Sequence, residues 1–217
     1  GIGRAVCVRL ARMGYHVLVN CVDRIDEAEH TLELVRQEGQ DGEVLKFDVG
    51  NRVQVSAVLE AWMEKHPEEY IEVLVNNAGV LGASMPNATE EAFDKVIDTN
   101  LKGVFFLSQL FGGYLKANKV EGNILNVGSS SCLRPATSAY TLSKWGIRGL
   151  TLGLAKSLAP YGVTVNGIAP GPTATPMLLK DGQGNITNKG NPIGRCALPE
   201  EIANMAVVLV SPMGRTI

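Results

Sequence analysis

Apolar residues along the chain fall into two kinds of stretch, and these predict helices and strands that follow one another in turn. Some stretches carry apolar residues at the three- or four-residue spacing of a helix, and others are short continuous apolar runs. The helical spacing predicts helices over 4–14, 25–39, 53–66, 90–117, 138–162 and 199–210. The fourth of these reads as one long or broken helix. The continuous runs predict strands over 16–20, 43–47, 72–76, 123–128 and 163–168.

The predicted strands are apolar along nearly their whole length, as in VLVN at 17–20 and ILNV at 124–127. Strands of this kind are covered on both faces, which is typical of parallel sheets. Parallel strands joined by helices form right-handed crossovers. The pattern therefore predicts an α/β fold, a doubly wound parallel sheet with helices on both faces. Such sheets bind ligands beyond the carboxyl ends of their strands.

Length and composition indicate one domain and exclude several classes of function. With 217 residues, 45% hydrophobic and 19% charged, the chain can bury one core, and we expect a single domain over 1–217. A net charge of -2 with interspersed signs provides neither a basic stripe for nucleic acid nor a polybasic membrane patch. The four cysteines are scattered without metal-ligand spacing, so we expect no metal site and a reducing compartment, by default the cytoplasm. A small-molecule partner is the remaining expectation.

Two short motifs at strand and helix boundaries each allow two interpretations. Gly1-Ile2-Gly3 precedes a predicted helix, where backbone N–H groups favour a pyrophosphate, but glycines before a helix are also ordinary capping residues. Asp48 follows the strand at 43–47. Its carboxylate either accepts a bond from the exocyclic amine of a purine or fills a turn or cap position.

Two further motifs point more directly to chemistry. The NNAG sequence at 76–79 follows a buried strand, and its amides can bond neighbouring loops while its small residues let a ligand touch the backbone. Tyr140 and Lys144 are four residues apart on a predicted helix, so both side chains lie on one face. They come soon after the serine cluster at 129–131, which follows another strand.

In this order, the motifs resemble those of the short-chain dehydrogenase/reductase family in its compact single-domain form. The resemblance runs from Gly1 to about Ile217. It is carried by GIG at 1–3, FDV at 47–49, NNAG at 76–79, TN at 99–100, a strand ending in serine, YTLSK at 140–144, PG at 170–171 and the last helical segment at 195–211. The resemblance implies a Rossmann fold and an NAD(P)-dependent oxidoreductase that moves a hydride between a nicotinamide cofactor and a carbonyl or secondary alcohol.

The resemblance also implies four catalytic residues. Tyr140 exchanges a proton with the substrate oxygen. Tyrosines ordinarily have a pKa of about 10, which a nearby ammonium lowers, and the family pattern gives that role to Lys144 together with binding of the nicotinamide ribose. Ser129, the third residue after Asn126, holds the substrate oxygen. Asn100 positions a water that connects Lys144 to solvent.

The cofactor positions implied by the resemblance lie at successive strand ends. They are Gly1, Ile2 and Gly3 at the pyrophosphate, Asp48 and Val49 around adenine, Asn76, Ala78 and Gly79 near the adenosine ribose, Tyr140 and Lys144 at the nicotinamide ribose, and Pro170, Gly171, Thr173 and Thr175 at the carboxamide.

The choice between NADP and NAD depends on the end of the first predicted strand. Relatives that prefer NAD usually place an acid at the position of Cys21, where it binds the ribose 2′-hydroxyl and repels a 2′-phosphate. Cys21 does neither. Arg24 can reach a phosphate, although the neighbouring Asp23 opposes one. We therefore expect NADP, with NAD as the alternative.

A second function is compatible with the same fold: a catalytically inactive nucleotide-binding regulatory protein. Binding alone does not require Tyr140 beside Lys144, so the full catalytic set favours the enzyme. The substrate stays open among 3-oxoacyl thioesters, sugars, polyols and steroids. The resemblance further implies a homo-oligomer, a tetramer or dimer, packed through the long helices at about 90–118 and 138–159.

Three segments complete the expectations. The polar, Gly- and Asn-rich stretch at 180–194 is either a surface loop or a flap over the substrate, within an expected substrate-loop region at 176–197. Met177, Leu178 and Leu179 either line an apolar pocket or are buried in a helix. In the family, a strand precedes GIG in the middle of the sheet, between the strands at 16–20 and 72–76, and another strand follows the last helix. We expect both to lie outside the 217 residues, as parts of a longer chain.

Overall fold

A computed structural model describes residues 1–179 and 185–217. Within these ranges the strands are β1 (Val17–Cys21), β2 (Gly42–Lys46), β3 (Val73–Asn76), β4 (Gly122–Val127) and β5 (Val163–Ile168). The α-helices are α1 (Ile2–Arg12), α2 (Ile25–Gln37), α3 (Arg52–Lys65), α4 (Glu90–Ile97), α5 (Gly103–Asn118), α6 (Ala139–Leu158) and α7 (Pro199–Val210). Short 3-10 helices follow β4, α6 and α7.

The predicted order of helices and strands is confirmed throughout, with the bounds of α7 and β5 matching residue for residue. The stretch predicted as one long or broken helix is broken: a π-helical turn, Asp98–Lys102, separates α4 from α5. The first helix begins at Ile2, earlier than the apolar spacing predicts. The apolar period cannot be detected over this first turn, because Gly1 and Gly3 have no side chains.

All strand pairs in the described residues are parallel, as the continuous apolar runs predict. β1 pairs with β2, and β4 lies between β3 and β5. Val75 lies beside Leu125, and Leu125 beside Asn166, so the carboxyl ends of these strands meet at one edge. Helices cover both faces, and the prediction of a doubly wound α/β fold is confirmed.

The core consists of two layers, one on each face of the strands. On one face, Leu125 and Val127 pack in a cluster with buried residues of α1, α2 and α7. On the other, Ile124 packs with Phe111 and Leu115 of α5 and with residues of α6. Successive residues of β4 thus alternate between the two layers, which is the direct consequence of the strand period of two.

β1 and β3 border a common cavity of about 1080 Å³ rather than each other. Val17 and Val19 line it from one side, and Val73 and Val75 from the other. The expectation of a further strand between them stays a prediction. Among the described residues, no helix combines the length and apolarity needed to cross a membrane.

Candidate functional site

The cavity runs along β1 and β3 and reaches the carboxyl ends of β1, β3 and β4, where parallel sheets bind their ligands. Most of the predicted site residues line it. They are Gly1, Ile2, Gly3, Val49, Asn76, Ala78, Gly79, Ser129, Tyr140, Lys144, Pro170, Gly171, Thr173 and Thr175. Asp48 and Asn100 are not among the lining residues.

The glycine turn brings a helix N-terminus to the cavity wall. Gly1 is the N-cap of α1, and Ile2 and Gly3 form its first turn. A Cβ on Gly3 would lie 2.6 Å from Nδ2 of Asn77, so a side chain at this position would displace the Asn77 side chain. The close packing of two loops and the free N–H groups of the first helical turn suit an anion such as a pyrophosphate.

Tyr140 and Lys144 lie one helical turn apart in α6, whose first turn is capped by Ser138. The Ser138 hydroxyl accepts a hydrogen bond from the backbone N–H of Thr141 at 3.2 Å. Nζ of Lys144 lies 5.6 Å from the centroid of the Tyr140 ring. The two side chains therefore share one face of the helix, as predicted from the sequence, and the structure adds that the ammonium lies over the aromatic ring.

Lys144 is almost entirely buried, with 5% of its surface exposed. Its ammonium donates a hydrogen bond to the backbone carbonyl of Val127 at 2.8 Å, at the end of β4. Burial lowers the pKa of Lys144 to about 8, because the charged form loses hydration. The site thus holds a cation whose charge is sensitive to pH near neutrality.

Ser129 lies at the end of β4 and caps the short 3-10 helix that follows. Its Oγ accepts a hydrogen bond from the backbone N–H of Ser131 and donates to Oγ of Ser131, both at 3.1 Å. Ser129, Ser130 and Ser131 all line the cavity. The hydroxyl of Ser129 is therefore positioned by the backbone on the same wall as Tyr140.

Asn100 lies in the π-helical turn between α4 and α5, with its side chain directed into the protein. Its Oδ1 accepts from the N–H of Val80 at 2.8 Å, and its Nδ2 donates to the Val80 carbonyl at 2.9 Å. Nδ2 also donates to Oγ of Ser143 at 3.3 Å, and that hydroxyl donates to the Tyr140 carbonyl at 2.7 Å. Asn100 thus connects the NNAG loop to the first turn of α6.

A buried amide pair underlies the same strand ends. Nδ2 of Asn76 donates to Oδ1 of Asn126 at 2.9 Å and to Oγ of Ser108 at 3.0 Å. Nδ2 of Asn126 donates to Oγ1 of Thr151 in α6 at 2.9 Å. Sequence reasoning missed Asn126 as part of this network. An amide inside an otherwise apolar strand was the available signal, since buried polar groups require partners.

Asp48, Thr173 and the apolar segment after Thr173 are the remaining predicted residues. Oδ1 of Asp48 accepts from the N–H of Gly50 at 2.8 Å, which is the local turn role that the sequence left open. Thr173 is buried, and its hydroxyl donates to the Gly171 carbonyl at 3.0 Å. Met177 and Leu178 are half exposed in a turn and line the cavity, which supports a pocket wall rather than burial in a helix, whereas Leu179 is not among the lining residues.

Of the loop predicted at 180–194, residues 180–184 lie outside the described residues. The part from 185 is tied to the body of the protein. The N–H of Cys196 donates to the Ile186 carbonyl at 2.7 Å, and the N–H of Ala174 donates to the Ala197 carbonyl at 2.8 Å. The segment is therefore anchored at Ala197 beside Thr173, which itself lines the cavity.

The sequence is similar to that of known dehydrogenases and reductases. A family described as short chain dehydrogenase matches residues 1–185. A protein of Aggregatibacter actinomycetemcomitans named 3-oxoacyl-[acyl-carrier-protein] reductase is 37% identical over 207 residues, which are 94% of this chain and 85% of that protein. Glucose 1-dehydrogenase 2 of Bacillus subtilis is 33% identical over 218 residues, 97% of this chain and 84% of that protein.

Solved structures resemble the whole fold. A short chain dehydrogenase of Burkholderia cenocepacia, determined in complex with NADP, has a TM-score of 0.88 at 28% identity and covers 100% of this chain and 89% of its own. Acetoin dehydrogenase of Enterobacter cloacae has a TM-score of 0.87 at 26% identity, over 100% of this chain and 87% of its own.

Proposed function

The chain belongs to the short-chain dehydrogenase family, and on this basis we propose that it moves a hydride between a nicotinamide cofactor and a carbonyl or secondary alcohol, with Tyr140 as the general acid or base. The observation that carries the proposal is the buried Lys144 ammonium over the Tyr140 ring at the strand ends. The relatives from Aggregatibacter actinomycetemcomitans and Bacillus subtilis are both named as oxidoreductases. Their names support an enzyme over a catalytically inactive nucleotide-binding protein.

In the proposed mechanism the Tyr140 hydroxyl donates its proton to the substrate oxygen during reduction and accepts one from the alcohol during oxidation. The Lys144 ammonium stabilises the phenolate form of Tyr140 by charge. Ser129 donates a hydrogen bond to the same substrate oxygen once its hydroxyl rotates away from Ser131. Asn100 acts as a positioning residue, because its hydrogen bonds to Ser143 and Val80 fix the start of α6 against the NNAG loop.

The residues of the cavity fit a dinucleotide. The close contact of Gly3 with Asn77 leaves no room for a side chain at position 3, and the α1 N-terminus suits a pyrophosphate. The segment from Pro170 to Thr175 suits the carboxamide, with backbone N–H groups as donors. Arg24 lines the cavity beyond Cys21 and supplies a cation for a ribose 2′-phosphate. The Burkholderia cenocepacia structure was determined with NADP. Together these favour NADP over NAD.

The lining of the cavity includes the apolar side chains of Leu81, Met177 and Leu178 as well as Tyr140. An apolar wall suits a carbonyl group attached to a carbon chain or ring. By their names, the two relatives act on 3-oxoacyl carrier-protein conjugates and on glucose. We therefore keep 3-oxoacyl thioesters and sugars ahead of polyols and steroids.

An assay with matched concentrations of NADPH and NADH tests this function. We expect at least one ketone from a panel of 3-oxoacyl thioesters, sugars and steroids to be reduced, with the larger kcat/KM for NADPH, as measured from cofactor absorbance. Oxidation of polyols is measured in the reverse direction. The absence of turnover with every compound would contradict the enzyme, and a clear preference for NADH would contradict the cofactor assignment.

The homo-oligomer is proposed from the surface of the long helices. Large apolar side chains are exposed on α4, α5 and α6, namely Phe93, Phe105, Leu142, Trp145 and Leu152. Exposed aromatic and aliphatic side chains in one region mark interaction surfaces. The four free cysteines fit a reducing compartment such as the cytoplasm.

Leu152→Glu is expected to lower the oligomeric state, because a charge at a residue that is 67% exposed on α6 would be desolvated in a subunit interface. Sedimentation measures the mass of the variant and of the unmodified protein. Met13→Glu is the control, since Met13 is exposed at the end of α1, which packs with α2 and α7 rather than with these helices. An unchanged mass for Leu152→Glu, or an equal change in both variants, would contradict this interface.

A further inference from the structure

Glu27, in the first turn of α2, binds two arginines at the ribose end of the cavity. Oε2 accepts a hydrogen bond from Nη2 of Arg4, and Oε1 accepts one from Nη2 of Arg24. These three residues and Cys21 all line the cavity. The carboxylate therefore occupies a position between two guanidinium groups at the rim where the sequence places the choice of cofactor.

The two arginines are held unequally. Besides the carboxylate, Arg4 donates from Nε to Oγ1 of Thr31 at 3.0 Å and from Nη2 to the Glu27 carbonyl at 3.2 Å. Arg24 has the Glu27 carboxylate as its only side-chain partner among the described residues, and its side chain is 72% exposed. Arg24 can therefore leave Glu27 for another anion, whereas Arg4 is fixed to α2.

The charge on Glu27 is maintained by this arrangement. The hydrogen bond from Arg4, followed by the charge of Arg24, lowers the pKa of the Glu27 carboxyl, so it stays ionised at neutral pH. An ionised carboxylate competes with a phosphate for Arg24, and its negative charge also repels the phosphate. A ribose hydroxyl meets no such opposition, because it is neutral and can donate a hydrogen bond to a carboxylate.

We propose that Glu27 determines how strongly the protein distinguishes a ribose 2′-phosphate from a 2′-hydroxyl, by retaining Arg24. This inference rests on the proposed binding of a nicotinamide cofactor in the cavity. Binding of a 2′-phosphate transfers Arg24 from the carboxylate to the phosphate. The ion pair between Arg24 and Glu27 is then lost, and this loss reduces the affinity that the phosphate adds. The acid that discriminates between the cofactors is then supplied by α2 instead of the end of β1, where Cys21 stands.

Two cofactor fragments that differ only in the 2′-phosphate, ADP and 2′,5′-ADP, isolate this effect in the full-length protein. By calorimetry, we expect Glu27→Gln to tighten 2′,5′-ADP binding about fivefold, the size of one exposed charge pair, and to change ADP binding less than twofold. Glu33→Gln removes the same charge from an exposed position further along α2 and should leave both affinities unchanged. Higher salt should reduce the increase in 2′,5′-ADP affinity that Glu27→Gln causes.

The double variant Arg24→Gln with Glu27→Gln separates release of Arg24 from simple repulsion. We expect Arg24→Gln to weaken 2′,5′-ADP binding and to abolish the gain from Glu27→Gln, since the two residues act through one contact. A gain that persists without Arg24, or an equal change for both nucleotides, would overturn the inference while leaving the proposed function intact. Failure of the unmodified protein to bind either nucleotide would overturn both.

Discussion

Tyr140→Phe should lower kcat by about 10²- to 10⁴-fold, the usual contribution of a general acid or base, while the Kd for NADPH changes by less than about twofold. The substitution removes only the hydroxyl that exchanges a proton with the substrate. The phenyl ring keeps the face over which the Lys144 ammonium lies at 5.6 Å, so the lysine retains its aromatic neighbour and its bond to the Val127 carbonyl. Steady-state kinetics and calorimetric titration with NADPH measure the two effects separately.

Tyr161→Phe is a closely matched control. Tyr161 is exposed in the 3-10 helix after α6, and its ring also carries a lysine, with Nζ of Lys116 at 4.3 Å from the centroid. Loss of this hydroxyl should leave turnover unchanged. Retained turnover in Tyr140→Phe would contradict the proposed mechanism, and a parallel loss of NADPH binding would indicate a binding role for the hydroxyl instead.

The fold could be predicted where one physical signal repeats along an element. The prediction matches β5 and α7 to the residue, because Gly162 precedes β5 and Pro170 follows it closely, while Pro199 begins α7 and Ser211 follows its end. The π-helical turn at Asp98–Lys102 could not be predicted, since its cause is tertiary. Asn100 satisfies both backbone groups of Val80, twenty residues away, and no local period contains that contact.

The candidate site divides in the same way. The spacing of Tyr140 and Lys144 fixes their common face through helix geometry alone, and the structure has them together. The contact of Arg4 with Glu27 joins residues 23 positions apart on two helices, so the sequence pointed to Arg24 and Cys21 but not to the carboxylate between the arginines. Pairings of side chains across elements depend on how the helices pack, which is beyond a local pattern.

Lys144→Met is expected to reduce turnover about 10²-fold or more and, at the same time, to stabilise the protein at neutral pH. Methionine is about as long and has no charge to bury. A pKa of about 8 in place of the ordinary 10.5 corresponds to a burial cost of about 3 kcal/mol for the ammonium. Loss of the hydrogen bond to the Val127 carbonyl offsets about 1–2 kcal/mol of this gain. We therefore expect the free energy of unfolding, without added cofactor, to rise by about 1–2 kcal/mol at pH 7.

The pH dependence of the stability difference shows whether Lys144→Met stabilises the protein by removing a buried charge or by packing better. Below pH 8 the lysine is charged in both the folded and unfolded states, so the full burial cost is present. Between pH 8 and 10.5 the unfolded chain binds more protons than the folded protein, and the stability of the unmodified protein rises with pH. The advantage of Lys144→Met should therefore shrink between pH 7 and pH 10 in urea denaturation. Lys156→Met, at an exposed position of α6, should have no such pH-dependent effect. A difference that stays constant over this range would mean that the ammonium is not the source of the instability, and that Lys144 is held in the site at no cost to the fold.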